Sequence, residues 1–201
     1  MGLKQIINGQ FKKPTGWLGH LVGWSMSFKN NDRANWTFEH LRLKESDNLL
    51  EIGFGAGVTL NKVAKDLTTG FIAGIDYSEI MLKQASKRNK IYVKRGKVKL
   101  EYGTVWDLKY PENYFDTIYG SNVHFFWEDP VNEFRHLVKL LKPGGRLIMV
   151  FQPRWAKSEN EVKQVAEMTK KQYEEIGLTN IEVDFKKMSP VMCIYVCGKK
   201  K

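Results

Sequence analysis

The sequence predicts an α/β protein: a doubly wound, mostly parallel sheet of seven strands that ends in an antiparallel hairpin. Three observations carry this expectation. Short apolar runs alternate with segments of helical spacing through the middle of the chain, the pattern of repeated strand–helix–strand units with helices on both faces. Three glycines at alternate positions, Gly53, Gly55 and Gly57, follow the first apolar run directly. The last two strand-like runs are joined only by Ser189-Pro190, too short for a parallel crossover, so they pair antiparallel.

Taken in order, "NLLEIGF" is a short apolar strand, and "VTLNKVAKDL" follows with helical spacing at Val58, Val63, Ala64 and Leu67. "GFIAGID" reads as the second strand. "SEIMLKQASKRNK" is a helix with Ser78 as N-cap and Ile80, Met81, Leu82 and Ala85 on its inner face. "KVKLEYG" and "YFDTIYGSN" are the third and fourth strands. A helix from about Pro130 to Leu141 is stopped by Pro143-Gly144-Gly145, and "RLIMVFQ" is a buried strand. A long amphipathic helix (about Ser158–Ile176) leads to "IEVDFKKM" and "VMCIYVCGK". Residues 1–47 differ in character: they are rich in Gly, Trp and Asn, with a helix expected over "NWTFEHLRL", and form an N-terminal cap or lid on a domain of residues 48–201.

The chain of 201 residues is long enough for one domain with a substantial core. No apolar run approaches the ~18 residues of a membrane span. "PTGWLGHLVGWSMSF" is broken by His20 and three glycines and has no small-residue cleavage site, so it does not read as a signal peptide. The start "MGLKQI" has Ile6 where N-myristoylation prefers Ser or Thr. Cys193 and Cys197, four positions apart on one strand, lie about 13 Å from each other. That exceeds the roughly 7 Å Cα separation that a disulfide allows. No His or further Cys stands nearby for a metal site, so the expectation is reduced thiols in a cytoplasmic protein without a metal.

Each glycine costs backbone entropy, so "LLEIGFGAGVT" implies close approach to the backbone after the first strand. A phosphate-cradling P-loop would need Lys-Ser or Lys-Thr after the last glycine, and none follows. A dinucleotide fold needs G-x-G-x-x-G, but Val58 holds the third glycine's place. Glu51 would repel a pyrophosphate and attract an ammonium group. The turn is therefore shaped for an uncharged nucleoside end and a cationic tail. Asp76 ends the second strand, where ligands sit in open α/β sheets, and can accept hydrogen bonds from both ribose hydroxyls. Tyr77 beside it offers a flat surface for adenine.

These residues resemble the class I S-adenosylmethionine-dependent methyltransferases, in their small-molecule, type 11-like branch, and so imply a Rossmann-like sheet. "LLEIGFGAG" resembles the family's E-x-G-x-G-x-G motif and "GIDYSEIML" its acidic second-strand motif. "FDTIYGSNVHFFWEDP" resembles its fourth-strand region and "LKPGGRLIMV" the turn into its fifth strand. The resemblance spans roughly Leu43 to Val150. It implies that S-adenosylmethionine is the cofactor and S-adenosylhomocysteine the product. Gly53, Phe54, Gly55 and Gly57 would back the methionine and ribose portion, Glu51 would lie near the amino acid end, and Asp76 would hold the ribose diol. Asn122 would line the methionine tail, and Tyr77 and Met81 complete the cofactor set on this side. The third-strand segment departs from the family's frequent G-D-A. Gly103 is followed by Thr104 and Val105, so the hydroxyl of Thr104 replaces a carboxylate at the adenine amino group, with Trp106 adding stacking area.

Methyl transfer from a sulfonium is an in-line displacement, and alignment alone can supply ~7–11 kcal/mol of the barrier lowering. A hydroxyl or protonated amine acceptor also needs a base. His124, after the fourth strand, is the candidate, set against a packing role beside Phe125 and Phe126. Phe126, Trp127, Arg154 and Trp155 follow strand ends and could wall a substrate pocket. Trp17, His20 and Trp24 belong to the segment that would close over the cofactor as a lid or fill one face as a fixed cap.

Net charge is +10, and eight of the basic residues stand between Lys83 and Lys99 with no acidic residue among them. Such a run could mark a nucleic-acid footprint. The helix that begins it is expected to run antiparallel to the strands, so that its basic end lies opposite the reacting crevice and complements the helix dipole. Aromatic interleaving is absent apart from Tyr92. The reading favoured is methyl transfer to a small molecule, with no stable membrane association. RNA or protein methylation, a silent methyltransferase-like binding domain and a nicotinamide-dependent dehydrogenase are the alternatives.

Overall fold

The structure, a computed structural model, describes residues 31–201. Its helices are α1 (Asn31–Leu41), α2 (Val58–Asp66), α3 (Glu79–Arg88), α4 (Lys90–Lys94), α5 (Pro130–Leu140) and α6 (Glu159–Glu175). Its strands are β1 (Asn48–Ile52), β2 (Phe71–Asp76), β3 (Val98–Tyr102), β4 (Phe115–Ser121), β5 (Leu141–Phe151), β6 (Thr179–Lys186) and β7 (Cys193–Lys199). The seven strands form a sheet in the order β3-β2-β1-β4-β5-β7-β6. The pairs β2–β3, β1–β4 and β4–β5 are parallel, and β7 is antiparallel to both β5 and β6. The predicted α/β architecture with its closing hairpin is therefore the one observed. The order reverses between β1 and β4, the place where open α/β sheets bind ligands.

The described residues group into two compact units, 31–47 with 53–108, and Asn48–Ile52 with Lys109–Lys201. In the first, α1 packs on α2, α2 on β2, and α3 on β2 and β3. The inner face of α2 is Thr59, Leu60, Val63 and Ala64, whereas Val58 is only half-buried. The helix expected over 78–90 is shorter. Ser78 caps it as expected, its hydroxyl accepting from the Met81 amide at 3.4 Å, but Asn89 ends it. Asn89 is fully buried, and its side-chain amide donates to the carbonyls of Ala85 at 2.9 Å and Gly57 at 3.2 Å. α4, with no buried residue, follows the break.

In the second unit α5 opens with Asp129 as N-cap and Pro130 in its first turn, and it ends at Leu140. Pro143-Gly144-Gly145, expected as the stop of this helix ahead of the strand, lies within β5. Phe115 faces Leu141 and Thr117 faces Arg146, so the register jumps there, and Gly144 takes φ +74° to make the bulge. α6 runs one residue inside its expected bounds at each end and packs on α5, β6 and β7, with Tyr173 edge-on to Phe134 at 5.1 Å. Cys193 and Cys197 are buried, and neither is in a disulfide. Trp17, His20 and Trp24 lie outside the described residues, as does most of the proposed lid.

Candidate active site

The glycine turn lies in the first unit, where β2 supplies its anchor. Gly53 donates its amide to the Ile75 carbonyl at 2.7 Å, fixing the start of the turn against the end of β2. Gly55 and Gly57 are both left-handed, at φ +52° and +70°, but for different physical reasons. A Cβ on Gly57 would meet Ala85 Cβ at 2.9 Å and Asn89 Nδ2 at 2.7 Å, so its close neighbour is α3 of the protein itself. A Cβ on Gly55 would meet no atom of the described residues within 4 Å. Gly55 is therefore a position of the turn where a ligand could take a side chain's place. Phe54, expected among the ligand contacts, is a buried ring against Gly74.

Asp76 is 7% exposed, and two backbone amides hold its carboxylate: Gly55 donates to Oδ2 at 2.8 Å and Ser78 to Oδ1 at 2.9 Å. Burial pushes its pKa up, and the two amide bonds oppose that rise. Each oxygen accepts one bond from the backbone, which leaves it a second lone pair. Beside it the Tyr77 hydroxyl is pushed up to about 12, first by burial and then by the charge of Asp76. Met81, in the first turn of α3, is buried.

The segment after β3 is tied to the same place, because Gly103 donates its amide to the Asp76 carbonyl at 3.1 Å. A 3-10 turn, Val105–Asp107, follows and is closed by a capping box. Asp107 Oδ2 accepts from the Thr104 amide at 2.8 Å and from the Thr104 hydroxyl at 2.9 Å. With its proton committed to Asp107, that hydroxyl presents lone pairs, the form that can accept from an amino group. Val105 is buried and serves the core, while Trp106 is 55% exposed. Asp107 was missed at the sequence level, although the spacing Thr-x-x-Asp before a short turn is a readable cap signal.

In the second unit β1 and β4 bring Glu51 and Tyr119 together as register partners. The Tyr119 hydroxyl donates to Glu51 Oε2 at 2.9 Å, and both side chains are buried. Asn122 follows β4 in the left-handed conformation, φ +56°, which asparagine tolerates better than most residues. Its amide donates to the Val150 carbonyl at 3.0 Å, and its side-chain oxygen accepts from the Gln152 amide at 2.8 Å. The Gln152 side chain in turn donates to the carbonyls of Ser189 and Val191.

His124 sits in an aromatic box. Its ring centroid is 4.1 Å from Phe125, 4.5 Å from Phe151, 5.9 Å from Phe134 and 6.5 Å from Trp127. It is 2% exposed, and neither ring nitrogen has a hydrogen-bond partner among the described residues. Burial lowers its pKa to about 3. The proton-accepting role expected for it gains no support from this geometry, because a base needs a reachable nitrogen and a pKa near the working pH. Phe126 and Trp155 are exposed, at 42% and 57%, and Trp155 stands edge-on to Phe125 at 4.6 Å. Arg154 is also exposed, and Trp127 is half-buried.

The expected position of the basic run needs correction. Arg88, in the last turn of α3, donates to the Ala56 carbonyl, and Asn89 donates to Gly57. The basic end of this helix thus touches the glycine turn instead of lying far from it. Within the run Lys97 donates to the Leu67 carbonyl and Lys99 pairs with Glu101 at 3.2 Å.

The methyltransferase domain family model matches residues 50–149, which hold the glycine turn, Asp76 and Asn122. An uncharacterized methyltransferase of Bacillus subtilis, YdaC, is 29% identical over 181 residues, 90% of this chain and 98% of its own length. The 27-O-demethylrifamycin SV methyltransferase of Amycolatopsis mediterranei is 29% identical over 65% of this chain, which spans 48% of that protein. A solved SAM dependent methyltransferase from Aquifex aeolicus shares the fold, with a TM-score of 0.64 and 20% identity, over 86% of this chain and 94% of its own. Family model, near full-length relative and shared fold agree: the chain belongs to the class I S-adenosylmethionine-dependent methyltransferase family.

Proposed function

We propose that the protein binds S-adenosylmethionine and transfers its methyl group to a small-molecule acceptor. The observation that carries the cofactor reading is the Asp76 carboxylate, buried and held by the amides of Gly55 and Ser78. A carboxylate so held is built to accept from two adjacent hydroxyls, as a ribose diol offers. Thr104, oriented by Asp107, would accept from the adenine amino group, and exposed Trp106 would stack on the ring. Glu51 is assigned to the methionine ammonium and Asn122 to the methionine tail by their places in the family motifs.

When bound, the cofactor supplies an activated methyl group on a sulfonium, whose carbon–sulfur bond breaks as the bond to the acceptor's nucleophile forms. The protein's own residues need only hold both partners in line and keep water out. No proton acceptor is assigned, since His124 is buried among apolar rings. The exposed Phe126 and Trp155 favour an acceptor with an apolar or planar body. A relative named for a demethylrifamycin acceptor supports the small-molecule class.

RNA is the second reading, favoured by the basic run, in which Arg88 meets the glycine turn. One experiment separates the two. Purified protein is given cofactor with a labelled methyl group, and transfer is scored to a panel of small phenols, acids, amines and thiols and to total RNA. Label on a small molecule supports the proposal; label on RNA alone replaces it with the second reading.

A further inference from the structure

The helix α4 is fixed by the fold yet adds no buried side chain to its core. Ile91 and Val93 on it are 62% and 40% exposed. Both ends of the helix are nonetheless pinned. At its start the fully buried Asn89 side chain donates to the carbonyls of Ala85 and Gly57. Past its end Gly96 turns the chain at φ +69°, and Lys97 donates to the Leu67 carbonyl. Two aliphatic side chains are thus held out in water, where they gain the free protein no packing.

Unpaired cations accompany them. Lys83 and Lys87 lie one turn apart on α3, Lys90 and Lys94 one turn apart on α4, and Arg95 follows. All five are exposed, and none has a hydrogen bond or ion pair from its side chain among the described residues. No acidic residue stands between Lys83 and Lys99. Ile91 is three positions before Lys94 and four before Arg95, so helical spacing sets it beside both. An RNA backbone would neutralise the cations and leave Ile91 and Val93 without a role, since unpaired bases are held by stacking on aromatic rings. An anionic bilayer surface uses both kinds of side chain. Its headgroups attract the cations, and its acyl boundary receives the aliphatic groups. A helix of five residues lies on such a surface and does not span it.

We propose that α4 and the basic end of α3 form a reversible docking surface for an anionic lipid bilayer. Ile91 and Val93 enter the interface, and Lys83, Lys87, Lys90, Lys94 and Arg95 meet the headgroups. The inference stands apart from the cofactor reading and needs no methyl transfer.

The test titrates the full-length protein with vesicles of phosphatidylcholine alone and of phosphatidylcholine mixed with phosphatidylglycerol, and separates bound protein by flotation. Wild type should bind the anionic vesicles roughly tenfold more tightly than the neutral ones, or better, and lose that preference as salt is raised. Lys90→Gln combined with Lys94→Gln should weaken binding roughly twentyfold, the scale of two cations at an anionic surface. Ile91→Ser, which removes no charge, should weaken it roughly tenfold. None of the three side chains is buried, so thermal unfolding should stay that of wild type. A single-stranded RNA of mixed sequence is titrated in parallel. No preference for anionic vesicles, or binding that Ile91→Ser leaves unchanged, would overturn the inference. Binding to RNA without binding to anionic vesicles would overturn it as well and give the patch to nucleic acid.

Discussion

The amide of Gly55 and the carboxylate of Asp76 meet at 2.8 Å, so the open glycine of the turn and the acidic end of β2 form one feature. Burial raises the pKa of Asp76, which makes the ionised carboxylate a cost to the fold and an asset to the site. The folded state then binds a proton more readily than the unfolded one, whose carboxyl lies near 3.8. Stability contributed by this group is lost as pH rises from that value through the raised native one. Affinity for a ribose diol moves the other way and is lost as pH falls through the native value. Urea unfolding and calorimetry over the same pH series should show these opposite slopes in wild type, and neither slope in Asp76→Asn.

His124 is a buried histidine that stays neutral. Its native pKa of about 3 lies below the ordinary 6.5, so the unfolded chain takes up the proton first. Stability is complete above pH 6.5 and falls as pH drops, by about 1.4 kcal/mol for each unit until the native value is reached. His124→Phe should abolish this dependence and leave the protein about 2 kcal/mol better off than wild type at pH 5, relative to their difference at pH 7. Denaturant titrations at the two pH values measure it. A wild-type curve no steeper than that of the variant would contradict the buried neutral ring.

Gly55 and Gly57, two of the three left-handed glycines of the turn, should separate by phenotype. Gly57→Ala places a Cβ at φ +70° against Ala85 and Asn89, so an overpacking cost of roughly 1–3 kcal/mol adds to the roughly 1–2 kcal/mol of the left-handed backbone. Gly55→Ala, at φ +52° in open space, should cost only about 1–2 kcal/mol, from the left-handed backbone alone. Its methyl group enters the proposed ligand space, so its loss of S-adenosylhomocysteine affinity should exceed that of Gly57→Ala when both are measured well below their unfolding temperatures.

Thr104 should read the adenine amino group. Thr104→Val removes the hydroxyl that donates to Asp107 and with it the acceptor. Wild type should prefer S-adenosylhomocysteine to its inosine analogue by several-fold, on the order of one neutral hydrogen bond, and Thr104→Val should lose that preference. An unchanged preference would remove Thr104 from the site.

Much of this was legible in the sequence because it is local. Gly53, Gly55, Gly57 and Asp76 stand at the ends of adjacent apolar runs, and a strand followed by a turn places them without knowledge of the rest. The Ser189-Pro190 connection dictated antiparallel pairing for the same reason. What was hidden depended on neighbours distant in the chain. Tyr119 looks like any β4 core residue until the register sets it beside Glu51, 68 positions away. The box around His124 is assembled from Phe134 in α5 and Phe151 in β5, so the choice between base and packing residue could not be made from "SNVHFFW" alone. Asn89 breaks a helix whose periodicity runs on past it because a tertiary bond to Gly57 outweighs local propensity. The Pro-Gly-Gly triplet reads as a helix stop, and it is one, but its residues then serve as a bulge in β5 that strand order alone reveals.

The central claim is that this fold holds S-adenosylmethionine on the Gly55–Asp76 corner. Calorimetric titration of the full-length protein with S-adenosylmethionine and S-adenosylhomocysteine, with NADH as control and Asp76→Ala alongside, tests it most directly. The account predicts micromolar binding of both sulfur nucleosides, none of NADH, and loss of binding in Asp76→Ala. Heat from NADH alone, or none from any of the three with wild type, would contradict it.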